Sequence, residues 1–379
     1  MFGDKNSKYF HCRAIQRYQR NKIDGVRDCE GHWQLNPKEI ANEFLRYFSE
    51  LFSTSSNCQP ELALDTIQRL VTEDMNILLN AEFTEKEVKV ALNQMAPLKS
   101  PGPDGMPPLF FQHYWDLVGK NITTYVLSFL NSTSLPENLN HTFITLIPKV
   151  KNLELVSEFC PISLCNVLYK IFSKVLANRL KKILPHIITE HQSAFTKNRL
   201  ILENILVAFE LLHCLQNHKS TKGDFMALKL DMSKANDRVE WAFLEKIMRK
   251  LGFNEKWIIL MMLCVPTISY SILINGTPNG YIRPTRGIRQ GDPISQFLFL
   301  ICLEGLHGLL TQSAMRGDIH GFSISRRSPT LTNLLFANDS LLFCRLNVDE
   351  CEKVLEVTQV YEKSSGKQIN KAKTIVFFC

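Results

Sequence analysis

Leu334-Leu335-Phe336-Ala337-Asn338-Asp339-Ser340-Leu341-Leu342-Phe343 sets two apolar runs on either side of an Asn-Asp pair. Runs of this length suit strands, and Asn and Asp tolerate the backbone of a tight turn, so the stretch reads as a β-hairpin with a carboxylate at its tip. A second segment has a matching form. In Phe225-Met226-Ala227-Leu228-Lys229-Leu230-Asp231 the apolar residues at 226, 228 and 230 alternate, and the strand ends on an acid. If the two strands are neighbours in one sheet, Asp231 and Asp339 converge. Convergent carboxylates on rigid strands suit Mg²⁺, which takes hard oxygen ligands and uses few protein groups. A plainer reading stands beside this one: Asn-Asp is a good turn whatever its role, and Asp231 could cap a helix.

Around these segments lies an ordinary globular composition of 379 residues, 45% hydrophobic and 21% charged, enough for two or more subdomains. The longest apolar run, Trp257 to Val265, is stopped by Pro266 and falls short of the roughly 20 residues that span a bilayer. No membrane partner is expected. The opening MFGDKNSKYFHCR has charges where a signal peptide carries its apolar core, which implies an intracellular chain, in cytoplasm or nucleus. Its 11 cysteines are scattered from Cys12 to Cys379 without a C-x-x-C pair, so reduced, mostly buried thiols are expected.

The net charge of +7 is unevenly placed. Between Asn166 and Leu200 stand Lys170, Lys174, Arg179, Lys181, Lys182, Lys197 and Arg199 against the single acid Glu190. Such a stripe suits a phosphate backbone, although solvated helix faces produce the same pattern. Arg283, Arg286 and Arg289 form a second acid-free cluster, and Lys367, Lys371 and Lys373 a third.

Helical and strand periods alternate along the chain without a repeat of roughly 20 to 50 residues, which points to a mixed α and β body. Residues 1–20 and 37–52 read as helices flanking a hairpin with turns at Asp24-Gly25 and Glu30-Gly31. Ser53 to Pro60 is polar and ends in proline, a candidate linker. A helix is expected over 84–95. It leads into Lys99-Ser100-Pro101-Gly102-Pro103-Asp104-Gly105, which forbids helix and strand and demands a fixed turn. No Gly-Lys-Ser/Thr follows, so this is not a P-loop.

Further ordered signatures accompany that loop: Gly3-Asp4-Lys5-Asn6-Ser7-Lys8-Tyr9-Phe10-His11, Leu146-Ile147-Pro148-Lys149, Pro161-Ile162-Ser163-Leu164-Cys165-Asn166-Val167 and Gln192-Ser193-Ala194-Phe195. Leu230-Asp231-Met232-Ser233-Lys234-Ala235, Arg289-Gln290-Gly291-Asp292-Pro293 and the hairpin at 336–339 complete the series. In wording and order the chain resembles, nearly end to end, the reverse transcriptases of LINE-type (non-LTR) retrotransposons, most closely those of plant genomes.

The resemblance implies an α+β, right-hand polymerase fold with fingers and palm and with the thumb missing. Residues 1–60 would be a helical linker or N-terminal extension, 61–224 the fingers and 225–379 the palm, with the reverse transcriptase domain over about 130–379. The implied reaction is RNA-directed DNA synthesis from an RNA template, a DNA primer and dNTPs, with two Mg²⁺ ions on Asp231 and Asp339. Arg289, Gln290 and Gly291 would bring backbone close to nucleotide and template. Lys149 and Arg199 would grip phosphate. Lys373 matches the lysine of the family's Ile-Asn-x-x-Lys segment, a candidate proton donor to pyrophosphate, and reads equally as a solvated surface lysine.

The departures are specific. Asn338 replaces the first aspartate of the family's Phe-Ala-Asp-Asp turn, and Asn236 stands where the family carries an aromatic beneath the incoming sugar. Cys160 replaces the arginine before Pro-Ile-Ser-Leu, and Thr196-Lys197-Asn198 replaces Val-Pro-Gly. A degenerate or truncated copy is implied. The alternative is a catalytically inactive RNA- or DNA-binding protein on a polymerase scaffold.

Overall fold

The computed structural model describes residues 7–55, 58–132, 135–136, 138–217, 224–325, 327–337 and 339–378. Asn338 and the start of the first signature, Gly3 to Asn6, lie outside the described residues.

Helix α1 (Lys8–Asn21) leads to a hairpin of β1 (Val26–Arg27) and β2 (Trp33–Gln34), then to α2 (Pro37–Leu51). The short helices α3 (Glu61–Leu64), α4 (Glu73–Asn80), α5 (Glu85–Asn93) and α6 (Pro108–His113) precede the longer α7 (Trp115–Ser132). Strands β3 (His141–Pro148) and β4 (Phe159–Cys165) are followed by α8 (Val167–Ile187) and α9 (Ile201–Asn217). Next come β5 (Phe225–Ser233), α10 (Trp241–Leu251), α11 (Glu255–Leu263), β6 (Ser269–Ile274) and β7 (Thr277–Ile282). The last part holds α12 (Ser295–Arg316), β8 (Asn333–Phe336), β9 (Asp339–Arg345), α13 (Val348–Ser365), β10 (Gln368–Ile369) and β11 (Ile375–Phe378).

Local chemistry sets many of these boundaries. Asn36 caps α2 ahead of Pro37, and Thr84 with Glu87 forms a capping box on α5. The chain leaves α13 through Gly366 at φ +76°, a left-handed conformation that glycine adopts without strain.

Two sheets organise the body. One runs β10-β5-β9-β8, with β11 also pairing with β5, and every pairing in it is antiparallel. The other runs β4-β3-β6-β7, with β3 parallel to β6. The expected division at 225 therefore cuts across the second sheet, because β6 and β7 return to join β3 and β4. One core extends from Ile23 to Tyr361, and a smaller one packs α9 against Ala227, Leu334, Leu341 and Phe343. α12 is long and apolar enough by length and composition to cross a membrane, yet most of it is buried in the protein. The ten described cysteines are all free thiols.

The described residues of the candidate linker 53–60 are tied to the body. Thr54 N–H donates to Thr285 Oγ1 (2.7 Å), Ser55 N–H to Glu240 Oε1 (3.0 Å) and Gln59 N–H to the Lys363 carbonyl (2.9 Å). A polar segment satisfies its backbone on the body as readily as on water, which composition cannot distinguish.

The basic clusters divide in the same way. Lys170 and Arg179 of α8 are buried, Arg179 against Glu87 (2.8 Å), while Lys174, Lys181, Lys182 and Lys197 line a groove of about 830 Å³. Arg286 turns inward to Glu240 (3.3 Å). Lys367 is buried with its ammonium 3.6 Å from the Phe299 ring centroid. Only Lys371 and Lys373 of the third cluster remain exposed.

Burial also governs Glu304, in the middle of α12, whose carboxyl is pushed up from about 4.5 to about 8; the N–H of Thr189, 3.1 Å from Oε1, opposes the shift. The folded chain thus holds this proton more tightly than the unfolded one. Its contribution to stability is full below about pH 4.5 and is lost as pH rises through about 8. Glu304→Gln, which keeps an acceptor for Thr189, is expected to be more stable than the parent at pH 9 by more than ~1 kcal/mol, and little different at pH 4. Urea midpoints at the two pH values test this, and parallel changes in both proteins would refute it.

Candidate active site

Asp231, near the end of β5, and Asp339, the first residue of β9, are direct partners in the antiparallel β5–β9 ladder. Opposed residues project from the same face with Cβ atoms ~4.5–5.5 Å apart, so the pairing register brings the two carboxylates together. The β8–β9 hairpin sets that register through Phe336↔Asp339, and Ala337 makes the turn at φ +53°. Asp231 caps no helix.

Opposed like charges repel, and each carboxylate has a lysine beside it. Lys229 Nζ stands 3.6 Å from Asp339 Oδ1, and Lys373 Nζ 4.0 Å from Asp231 Oδ2. Asn370 donates its N–H to the Asp231 carbonyl (2.8 Å) and Nδ2–H to Oδ2 (3.3 Å). Lys229 could have been found from sequence, since two residues before Asp231 on a strand means the same face. Among the described residues no three His, Cys, Asp or Glu side chains gather into a metal-holding group. The Asp231–Asp339 pair offers hard oxygens at a partly exposed site, with side chains 26% and 47% accessible, a donor set that fits a divalent cation of the magnesium type.

Beside the hairpin opens a cleft of about 510 Å³, lined among others by Ala337, Asn236, Gln290, Gly291, Lys99, Lys174 and Phe195. Gly291 adopts φ +107°, and a Cβ there would meet the Ser163 carbonyl at 3.3 Å. The turn is stitched to β4, with Ser163 N–H donating to the Gln290 carbonyl (3.0 Å) and Cys160 Sγ to Gln290 Oε1 (3.4 Å). The 99–105 loop closes another side. Gly102 packs on the backbone at Cys165 and Asn166 with no room for a Cβ, and Lys99 Nζ reaches the Gly291 carbonyl (3.5 Å).

Two arginines of the series are held by the protein itself. The Arg289 side chain is 0% exposed and donates to Asp292 Oδ2 (2.7 Å), Thr142 Oγ1 (3.1 Å) and Asn140, with the guanidinium 3.9 Å from the Tyr169 ring centroid, while its turn lines the cleft. A guanidinium in the interior needs a paired acid, and Asp292 supplies it. Arg199 is no phosphate grip in this arrangement, because its guanidinium donates to the carbonyls of Pro185, Ile188, Thr189 and Gln192. Lys149 stays exposed. Lys234, two residues after β5 residue Met232, is held by the Phe159 carbonyl (2.8 Å), and burial lowers its amine to about 8.

Arg289→Ala would strand Asp292 in the interior and is expected to cost ~3–5 kcal/mol. Lys149→Ala should stay within about 0.5 kcal/mol of the parent. Equal urea midpoints for the two variants would mean that Arg289 is not a buried framework residue.

The family model described as "Reverse transcriptase (RNA-dependent DNA polymerase)" matches residues 147–378. The uncharacterized 149 kDa protein of transposon TX1 from Xenopus laevis is 26% identical over 373 residues, covering 98% of this chain and 28% of that protein. The Pol polyprotein of the type-2 retrotransposable element R2DM from Drosophila melanogaster is 24% identical over 291 residues, 77% of this chain and 26% of that protein. An uncharacterized mitochondrial protein of Arabidopsis thaliana is 46% identical over 68 residues, 18% of this chain and 56% of that protein. The chain thus spans less than a third of the length of the first and second of these relatives. With the match covering more than half of its residues, the chain belongs to the reverse transcriptase (RNA-dependent DNA polymerase) family, in its non-LTR retrotransposon branch.

Proposed function

We propose that this chain adds deoxynucleotides to a DNA primer on an RNA template, inside the cell, with Asp231 and Asp339 as its metal-holding carboxylates. The observation that carries this reading is their direct opposition across β5 and β9, on a hairpin whose turn residue Ala337 lines the neighbouring cleft. Residues 61–224, with β6 and β7 returning to them, serve as fingers. The five-stranded sheet and its helices serve as palm within 225–379, and residues 1–60 serve as an N-terminal extension.

Two Mg²⁺ ions bound at such a site neutralise phosphate oxygens and the developing charge on attacking and leaving oxygens. Asp231 and Asp339 fix where that charge sits. Lys373, whose Nζ stands 4.0 Å from Asp231 Oδ2, would serve as proton donor to the leaving pyrophosphate. Gln290 and Gly291 let backbone approach nucleotide and template, and Asn236 is the cleft wall beneath the sugar. Lys86, Lys174, Lys181, Lys182 and Lys197 of the 830 Å³ groove suit the phosphates of the template.

A second reading, nucleic-acid binding without catalysis, is favoured by Asn338, whose amide carries no negative charge for a metal. Asn338→Asp is expected to raise Mg²⁺-dependent primer extension on poly(A) by more than roughly 10²-fold. Binding of an RNA/DNA duplex should weaken steeply with salt in both proteins, as counterion release requires. No gain in extension with binding intact would favour the second reading, and no binding at low salt would overturn both.

A further inference from the structure

Gln192 is buried, at 1% exposure, in the loop that joins α8 to α9, and it borders no described substrate contact. Its Oε1 accepts two backbone N–H groups, from Ala194 (2.9 Å) and from Ala337 (3.3 Å) in the turn of the carboxylate hairpin. Its Nε2 has no partner. The one carbonyl therefore supplies everything this side chain gives to its surroundings.

Ala337 needs the help. At φ +53° it occupies the left-handed region that L-residues other than Gly, Asn and Asp rarely enter. A residue held there persists only when its neighbours over-determine it. The same loop grips the hairpin again through Leu335 N–H to the His191 carbonyl (2.9 Å), and Asn204 Nδ2 bridges the His191 and Leu335 carbonyls (2.8 and 3.4 Å). The loop is anchored in turn by Arg199, which ties the Thr189 and Gln192 carbonyls to those at the end of α8.

We propose that Gln192 is a positioning residue for the carboxylate hairpin, holding Ala337 in its left-handed turn so that Asp339 faces Asp231. Its consequence for metal rests on the function proposed above; its hold on the turn does not. Arg199 acts one step further back, by fixing the loop from which Gln192 reaches.

Gln192→Met is close in shape and removes only the acceptor, since the partnerless Nε2 is no loss. Hydrogen exchange of the Ala337 amide should speed by on the order of ten-fold in that variant. Mn²⁺ affinity, read from free Mn²⁺ by EPR, should fall ~10–100-fold, the scale for groups that orient metal ligands. Gln192→Glu keeps an acceptor oxygen and should hold Mn²⁺ as the parent does. Ala337→Gly in the Gln192→Met background should restore Mn²⁺ affinity, because glycine adopts the turn unaided; a general loss of stability would not be repaired this way. Unchanged exchange at Ala337 in Gln192→Met, or no rescue by glycine, would overturn the proposal, as would loss of Mn²⁺ binding in Gln192→Glu should Gln192→Met not fold. If the parent binds no Mn²⁺, the metal reading fails, and exchange at Ala337 still decides the role of Gln192.

Discussion

Two carboxylates placed directly opposite one another in a β-ladder are an electrostatic liability, and much of this structure is arranged around that placement. Register pairs Asp231 with Asp339, and like charges at such positions weaken a sheet. Lys229 and Lys373 offset the repulsion from two sides, but the first is half-exposed and the second exposed, where ion pairs contribute little. The pairing holds because β5 is the central strand, joined to β9 on one side and to β10 and β11 on the other. Shifting β5 by one residue would turn Met226 and Leu230 out of the main core and Ala227 out of the smaller one. Packing fixes the register, and the register places the charges.

Around this sheet the protein uses its arginines as internal fasteners. Arg289 with Asp292, Arg286 with Glu240 and Arg179 with Glu87 are buried or half-buried pairs, each also tied to backbone or neighbouring side chains. The first has a direct link to the cleft. By pinning the start of α12 beneath β3 and α8, it fixes the turn in which Gln290 and Gly291 line the wall. A residue whose type suggests phosphate contact here supports that wall from behind.

Much of the fold was legible in the sequence for a plain reason. Period-two alternation in 225–231 and the paired runs around 337–339 encode strands whatever the neighbours do, and the caps at Asn36, Thr84 and Gly366 act within a few residues. The identity of the family was legible too, because its signatures are short and ordered along the chain. The division of the chain was less so, since β6 joins β3 across more than a hundred residues of intervening sequence.

The sequence by itself determined where strands end on carboxylates, which loops must turn, and to which family the chain belongs, because those features depend on local pattern. Only the tertiary structure decided which charged side chains stay at the surface and which turn to the interior. Arg289 meets Asn140, Arg199 gathers four carbonyls, and Lys367 lies on Phe299. Gln192 reaches a turn 145 residues away along the chain. The cost of burying a charge or an amide is met by partners that folding brings from elsewhere, and a stretch of sequence carries no record of them.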